Sequence, residues 1–360
     1  MKLGICANFS HKSVGGSEAV IKHISERLVK NYNYEVNVYS FSCNAVFSEN
    51  GVKYIPCRKG NAFISQMSYN DHIFVYSDSF WGFDTLVENV DKIDCTVSVC
   101  LVGAYHLQSH PETYNLLKNN INRFNLITHS SMTPDYKWCI DNNFPVKVIP
   151  NGVDLLEFKE NDVDFRKKYN IKEKYIILNV SSYFYGKGFE ILHRIAEKLS
   201  ESIDDFVILQ FSNVSQYPYD KIFFERTKKQ SRGLPIKFIR DAHRGDIVAA
   251  FKASDIFLSC SKKEVAPLVI LESRASKLPW VSMRVGDTSS QTGGIPVDFN
   301  SVDKKGYAVV DSKVINHFSV AIEHLLNMPR LRQAAITESQ RDIEELDWDN
   351  IVPLYNEVFK

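Results

Sequence analysis

Two glutamates and a lysine carry the most chemistry for their spacing. In Glu264-Val265-Ala266-Pro267-Leu268-Val269-Ile270-Leu271-Glu272 the carboxylates stand eight positions apart, on either side of a proline. Proline disfavours helical geometry in the residue before it and suits the first turn of a helix. Glu264 is therefore expected in a loop, and Glu272 one or two turns inside a helix that begins near Pro267. Acceptors so placed can grip hydroxyl groups on separate parts of one elongated ligand, while amides just after Pro267 reach phosphate or sugar oxygens. Alone, the pair also reads as an exposed loop acid and a helix-face acid.

Lys187 lies in Ser181-Ser182-Tyr183-Phe184-Tyr185-Gly186-Lys187-Gly188, between a strand and an amphipathic helix. A lysine beside a helix N-terminus attracts a diphosphate both as a point charge and through the free amides behind it. A third segment, His11-Lys12-Ser13-Val14-Gly15-Gly16-Ser17-Glu18, sets paired glycines before a helix, which permits close backbone approach to an anion. It lacks the third glycine of GxGxxG, which disfavours a dinucleotide dehydrogenase, and no GxxxxGK[ST] supports a P-loop ATPase. Lys187 in a solvated turn and Gly15-Gly16 as a simple bend are the plain structural alternatives.

Short β-rich runs alternating with helical patterns must position these residues, and that alternation marks an α/β chain with parallel sheets. Strands are expected at residues 2–7, 35–41, 72–76, 95–100, 126–129 and 146–149. A second series is expected at 175–180, 206–211, 236–239, 256–258, 280–283 and 307–310. From Ser17, Ala19, Ile21, Ile24, Leu28 and Val29 share one helical face. Ile149-Pro150-Asn151-Gly152-Val153-Asp154 and the charged stretch to about Lys172 read as a connection. The expected domains are residues 1–165 and 166–340, with a C-terminal helix in 341–360 packing back on the first. Trp348, Ile351, Val352 and Tyr355 have the spacing of a packed face.

The 360 residues exceed what one ordinary core accommodates, and 43 basic against 43 acidic residues remove any global attraction to phosphate polymers. Seven cysteines without CxxC spacing or histidine clustering read as reduced thiols. The amino terminus reads as a strand, not a signal peptide, and no run of about 18 apolar residues occurs. The expected location is cytoplasmic, with peripheral contact at the inner face of a membrane open.

Taken in order, these segments resemble the family-4 retaining glycosyltransferases over nearly the whole chain. The resemblance implies a GT-B fold, in which two Rossmann-like domains with parallel sheets face a central cleft. It implies a nucleotide diphosphate sugar as substrate, linked to UDP, GDP or ADP, and no tightly bound cofactor or obligatory metal. Lys187 would bind the diphosphate, Glu264 the transferred sugar and Glu272 the ribose hydroxyls. Amides of Ala266, Leu268 and Val269, set by Pro267, would face sugar and phosphate oxygens, and Gly15 and Gly16 the donor phosphates or the acceptor. His106 falls roughly where the family presents a histidine to the sugar, and is also readable as a core or surface histidine.

Ser182 departs from that pattern, standing where the family usually has an arginine five residues before the lysine. Losing a charge-assisted phosphate contact costs roughly 1.5 to 3 kcal/mol. Arg240, Arg244 and Arg284 are the candidate replacements. Val265-Ala266 also replaces the commoner Gly-Phe. The expected acceptor is a surface glycan, a lipid-linked sugar or a small metabolite, with a modified base of phage DNA as a further option that the neutral charge disfavours. A non-catalytic GT-B binding subunit, or another nucleotide-sugar enzyme such as an epimerase, is the competing reading.

Overall fold

The computed structural model describes residues 1–8, 15–77, 80–102, 110–159, 163–212 and 218–360. The chain forms two units, Met1–Gly152 with Trp348–Lys360, and Val153–Asp347. No helix among the described residues is long and apolar enough to cross a membrane.

The first unit holds β1 (Lys2–Cys6), β2 (Glu35–Ser40), β3 (Phe47–Glu49), β4 (Val52–Pro56), β5 (His72–Tyr76), β6 (Thr96–Leu101), β7 (Phe124–Thr128) and β8 (Val146–Val148). They lie in the order β3-β4-β2-β1-β5-β6-β7-β8, parallel except for the β3–β4 hairpin at the edge. Central strands such as β5, buried along their whole length, read as continuous apolar runs because helices cover both faces of a parallel sheet. Helix Gly16–Tyr32 buries Val20, Ile21, Ile24 and Leu28, and ends at Asn33 in the left-handed region. Against it packs the terminal helix Trp348–Phe359. Tyr34 donates to Asn356 Oδ1 at 2.7 Å, Arg27 pairs with Asp349 at 2.7 Å, and Trp348 stacks on His23. Gly152 completes the joint, since a Cβ there would lie 2.5 Å from the Trp348 ring.

The second unit holds β9 (Tyr175–Val180), β10 (Phe206–Ser212), β11 (Ile236–Arg240), β12 (Ile256–Ser259), β13 (Trp280–Met283) and β14 (Gly294–Val297). The order β11-β10-β9-β12-β13-β14, all parallel, is the doubly wound 3-2-1-4-5-6 arrangement. Its strand order reverses between β9 and β12, where ligands of such sheets bind beyond the carboxyl ends.

Three expectations need correction. The division falls at Gly152 and not at residue 165, because Val153, Phe158 and Phe165 bury themselves in the core of the second unit beside Val248 and Phe251. Residues 341–347 also stay with that unit, where Ile343 is buried, so the returning segment begins at Trp348. Residues 307–310 form no strand; Ala308 makes only an isolated antiparallel bridge to Val302. The sixth strand is instead β14, whose Gly294 and Pro296 conceal it in the sequence. A proline is tolerated on an edge strand, and a Cβ at Gly294 would meet the Trp280 carbonyl at 2.3 Å. All seven cysteines are free thiols.

Candidate functional site

The carboxyl end of β9 passes into a turn that presses against the exit of β12. Tyr183 turns into the core and stacks on Phe189 with ring centroids 4.1 Å apart, leaving Tyr185–Lys187 as a single 3-10 turn. Gly188 follows at φ 70°, and a Cβ there would lie 2.0 Å from the Cys260 carbonyl oxygen. Only glycine fits both the left-handed backbone and that approach. The Lys262 amide donates to Gly186 O at 2.8 Å and ties the two loops together. As a result Lys187 Nζ donates to Glu264 Oε1 at 2.5 Å, across 77 positions of sequence. Both side chains are mostly buried, so their attraction is screened less than that of a surface pair.

Glu264 lies in the loop after β12. Pro267 is the N-cap of helix Leu268–Ala275, so Leu268 and Val269 place the first amides of that helix at the site and Glu272 sits one turn inside it. Arg244, at the start of helix Arg244–Ala253, reaches Glu272 Oε1 at 2.6 Å and holds Glu157 with two bonds of 2.9 and 2.7 Å. Burial opposes the Arg244 charge, but Glu272 and Glu157 outweigh it and raise its pKa. Of the three arginines considered as replacements, only Arg244 meets a candidate donor carboxylate. Arg240 lies over the Phe224 ring, and Arg284 pairs with Asp298. Ser182 is exposed and contributes no charge.

A second cation was not foreseen. Lys262, 4% exposed, donates to Glu190 Oε1 at 2.5 Å and lies 3.2 Å from the Tyr185 ring centroid. The signal available for it was its place at the carboxyl end of a predicted strand, two residues before Glu264. Of the aromatics beside the lysine turn, Tyr183 serves packing, and Tyr185 meets Tyr307 and Phe223 edge-on.

In the first unit, Gly15 caps and Gly16 opens the helix that follows β1. A Cβ at Gly15 would lie 2.5 Å from Glu18 Oε2. His106 lies outside the described residues, as do His11 to Val14. The histidines the structure does place near β7 and β5 are structural. His129 donates from Nδ1 to Ile149 O and accepts from the Tyr76 hydroxyl, both at 3.1 Å, and burial lowers its pKa to about 4. His72 contacts Ser98 Oγ at 2.8 Å and burial likewise lowers its pKa to about 4.

A cation, two acceptor carboxylates and a helix start at the switch point of a doubly wound sheet form a setting for a phosphorylated, hydroxyl-rich ligand. Residues 161–342 match the glycosyl transferases group 1 family, and the chain belongs to it. The fold is GT-B, shared over its length with solved structures of low sequence identity. Sucrose-phosphate synthase from Thermosynechococcus elongatus aligns with a TM-score of 0.76 and 15% identity over 99% of this chain and 98% of that one. The Anabaena protein HepE in complex with UDP-glucose aligns with a TM-score of 0.73 and 14% identity over 99% of each. Among curated relatives, the sulfoquinovosyl transferase of Arabidopsis thaliana is 23% identical over 53% of this chain and 34% of its own length. The processive diacylglycerol alpha-glucosyltransferase of Acholeplasma laidlawii is 28% identical over 38% of this chain and 41% of its own. The chain thus spans well under two thirds of these relatives.

Proposed function

We propose that this protein transfers a sugar from a nucleotide diphosphate sugar to an acceptor hydroxyl with retention of anomeric configuration. The observation that carries the reading is the Lys187–Glu264 contact at the β9/β12 switch point, with Glu272 one turn into the helix that starts behind it. In this reading Lys187 and the amides of Leu268 and Val269 hold the diphosphate, Glu264 takes hydroxyls of the transferred sugar, and Glu272 takes the ribose diol. Arg244 orients Glu272. The bond from the anomeric carbon to the diphosphate breaks as the acceptor oxygen bonds to the same face, and the acceptor proton leaves with the nucleoside diphosphate. Charge stabilisation and positioning do most of this work. Gly15 and Gly16 are read as an anion contact of the first unit. In this reading transfer needs no obligatory divalent ion.

The solved relative with UDP-glucose makes that donor the first to try. Lipid-linked acceptors head the acceptor screen, because the A. laidlawii relative is named for diacylglycerol. Calorimetric titration with UDP-, GDP- and ADP-sugars should show one selective conjugate whose binding is weakened by both Lys187→Ala and Glu272→Ala. Product analysis should then give a glycoside and free nucleoside diphosphate, in EDTA as in magnesium. Absence of binding to every conjugate by a folded sample would leave a non-catalytic binding subunit as the better account.

A further inference from the structure

Beneath the loop that carries Glu264 lies a second carboxylate with no role in the reading above. Asp287 belongs to the turn Gly286–Ser289, just beyond β13. Gly286 adopts φ 57°, and a Cβ there would lie 2.3 Å from Val265 O and 2.7 Å from Glu264 O. The turn therefore sits directly on the backbone of the sugar-contacting loop, and the Asp287 amide donates to Val265 O at 2.9 Å. The Asp287 side chain is 7% exposed. Its Oδ2 accepts from Gln291 Nε2 at 3.1 Å, while Oδ1 is buried with no hydrogen-bond partner.

Gln291 is itself held by the buried Arg274, whose Nη1 donates to Gln291 Oε1 at 2.7 Å. Arg274 comes from the same helix as Glu272, and its remaining nitrogens are committed to Ser339 O, Arg341 O and Asp342. It therefore reaches Asp287 only through the amide of Gln291. The charged groups that act on Asp287 are thus Glu264 from the β12 loop, which opposes its ionisation, and Arg274 from the helix, which favours it.

We propose that Asp287 is a positioning residue of the donor site whose carboxyl group takes up a proton when a nucleotide sugar binds, so that donor affinity weakens as Asp287 ionises. The proposal rests on the nucleotide-sugar reading. An oxygen sealed from solvent without a donor is poorly suited to negative charge, and a diphosphate arriving at Lys187 adds negative charge beside a carboxylate that already feels Glu264. Burial is the first cause of an Asp287 pKa raised to about 6, with Glu264 adding to it. Ionised Asp287 would push on the Glu264 loop from below; protonated Asp287 relieves that repulsion.

The test uses the full chain and the isosteric Asp287→Asn variant. In the folded protein the Asp287 pKa exceeds the ordinary 3.8, so its stabilising contribution is complete below that value and is lost as pH rises through about 6. The melting temperature of Asp287→Asn should accordingly gain on wild type by several degrees between pH 5 and pH 8. A constant gap overturns the proton at Asp287. UDP-glucose, with GDP-glucose and ADP-glucose in parallel, is then titrated from pH 5.5 to 8 in buffers of different ionisation enthalpy. Wild-type affinity should fall several-fold with rising pH and binding should take up protons near pH 6.5; Asp287→Asn should show neither. Equal pH dependence in both proteins overturns the coupling even if the melting curves show the proton. Failure of wild type to bind any of the three at any pH sinks the nucleotide-sugar reading and the coupling with it, while the melting curves still judge Asp287 separately.

Discussion

The two sheets of this protein share a doubly wound strand order yet differ in the polar groups packed against them. In the first unit His72 and His129 are buried, with no carboxylate partner among the described residues, and burial lowers both pKa values to about 4. The second unit instead carries ion pairs between its elements, as in Lys262 with Glu190, Arg274 with Asp342 and Arg244 with Glu157 and Glu272, beside the unpaired Asp287 oxygen. Neutral burial suits a scaffold, since it avoids desolvating an ion. Paired charges such as Lys187 with Glu264 and Arg244 with Glu272, whose carboxylates stand on the loop and helix that follow β12, suit a surface that exchanges one partner for a charged ligand. The same architecture therefore carries chemistry where its loops bring charges together.

The contrast can be broken most forcefully at the pair itself. Lys187→Ala and Glu264→Gln are expected to lower sugar transfer by two or more orders of magnitude while leaving the melting temperature within a few degrees of wild type. Equal losses of stability and transfer would make the pair structural. Next in size is acid sensitivity of the first unit. A histidine whose folded pKa of about 4 lies below its ordinary 6.5 contributes stability that is present above 6.5 and lost as pH falls through 4. Each amounts to about 3 kcal/mol by linkage. His129→Gln should therefore show a flatter loss of stability between pH 6.5 and 4, measured by denaturant titration; an unchanged slope would contradict neutral burial.

Gly188→Ala should cost about 2 kcal/mol, from the left-handed backbone and the clash with Cys260 O, and should weaken donor binding as well because the lysine turn must move. Arg244→Lys is expected to give the smallest effect, a few-fold rise in donor Kd with little change in turnover. A lysine keeps the charge but cannot hold Glu157 with two bonds while also reaching Glu272. A change confined to turnover would remove Arg244 from donor binding.

Much of the scaffold was legible before any coordinates. The strand runs at 72–76, 175–180 and 280–283 coincide with β5, β9 and β13, because strands buried on both faces write themselves as short apolar stretches. Pro267 announced where the Glu272 helix begins, since proline restricts its neighbour locally. The pattern failed where local signals contradict tertiary demand. β14 carries a glycine and a proline, and the segment at 307–310 has β-like residues but no strand beside it. The stretch after Gly152 reads as a connection because turn-formers and charge mark it, whereas Phe158 and Phe165 anchor it in the second core.

At the site, residue types and loop positions were readable, and contacts were not. Lys187, Glu264, Pro267 and Glu272 stood out in the sequence because turns, prolines and helix starts are local devices. That Lys187 meets Glu264 across 77 residues, that Arg244 rather than Arg240 or Arg284 reaches Glu272, and that Asp287 is sealed beneath the Glu264 loop depend on strand order and on how closely two glycines let loops approach. Sequence by itself determined an α/β chain with acids and a lysine at strand ends, because backbone preferences act over a few residues. Only the tertiary structure decided which charges face one another, because ionic and hydrogen-bonded contacts act over a few ångströms of space and not along the chain.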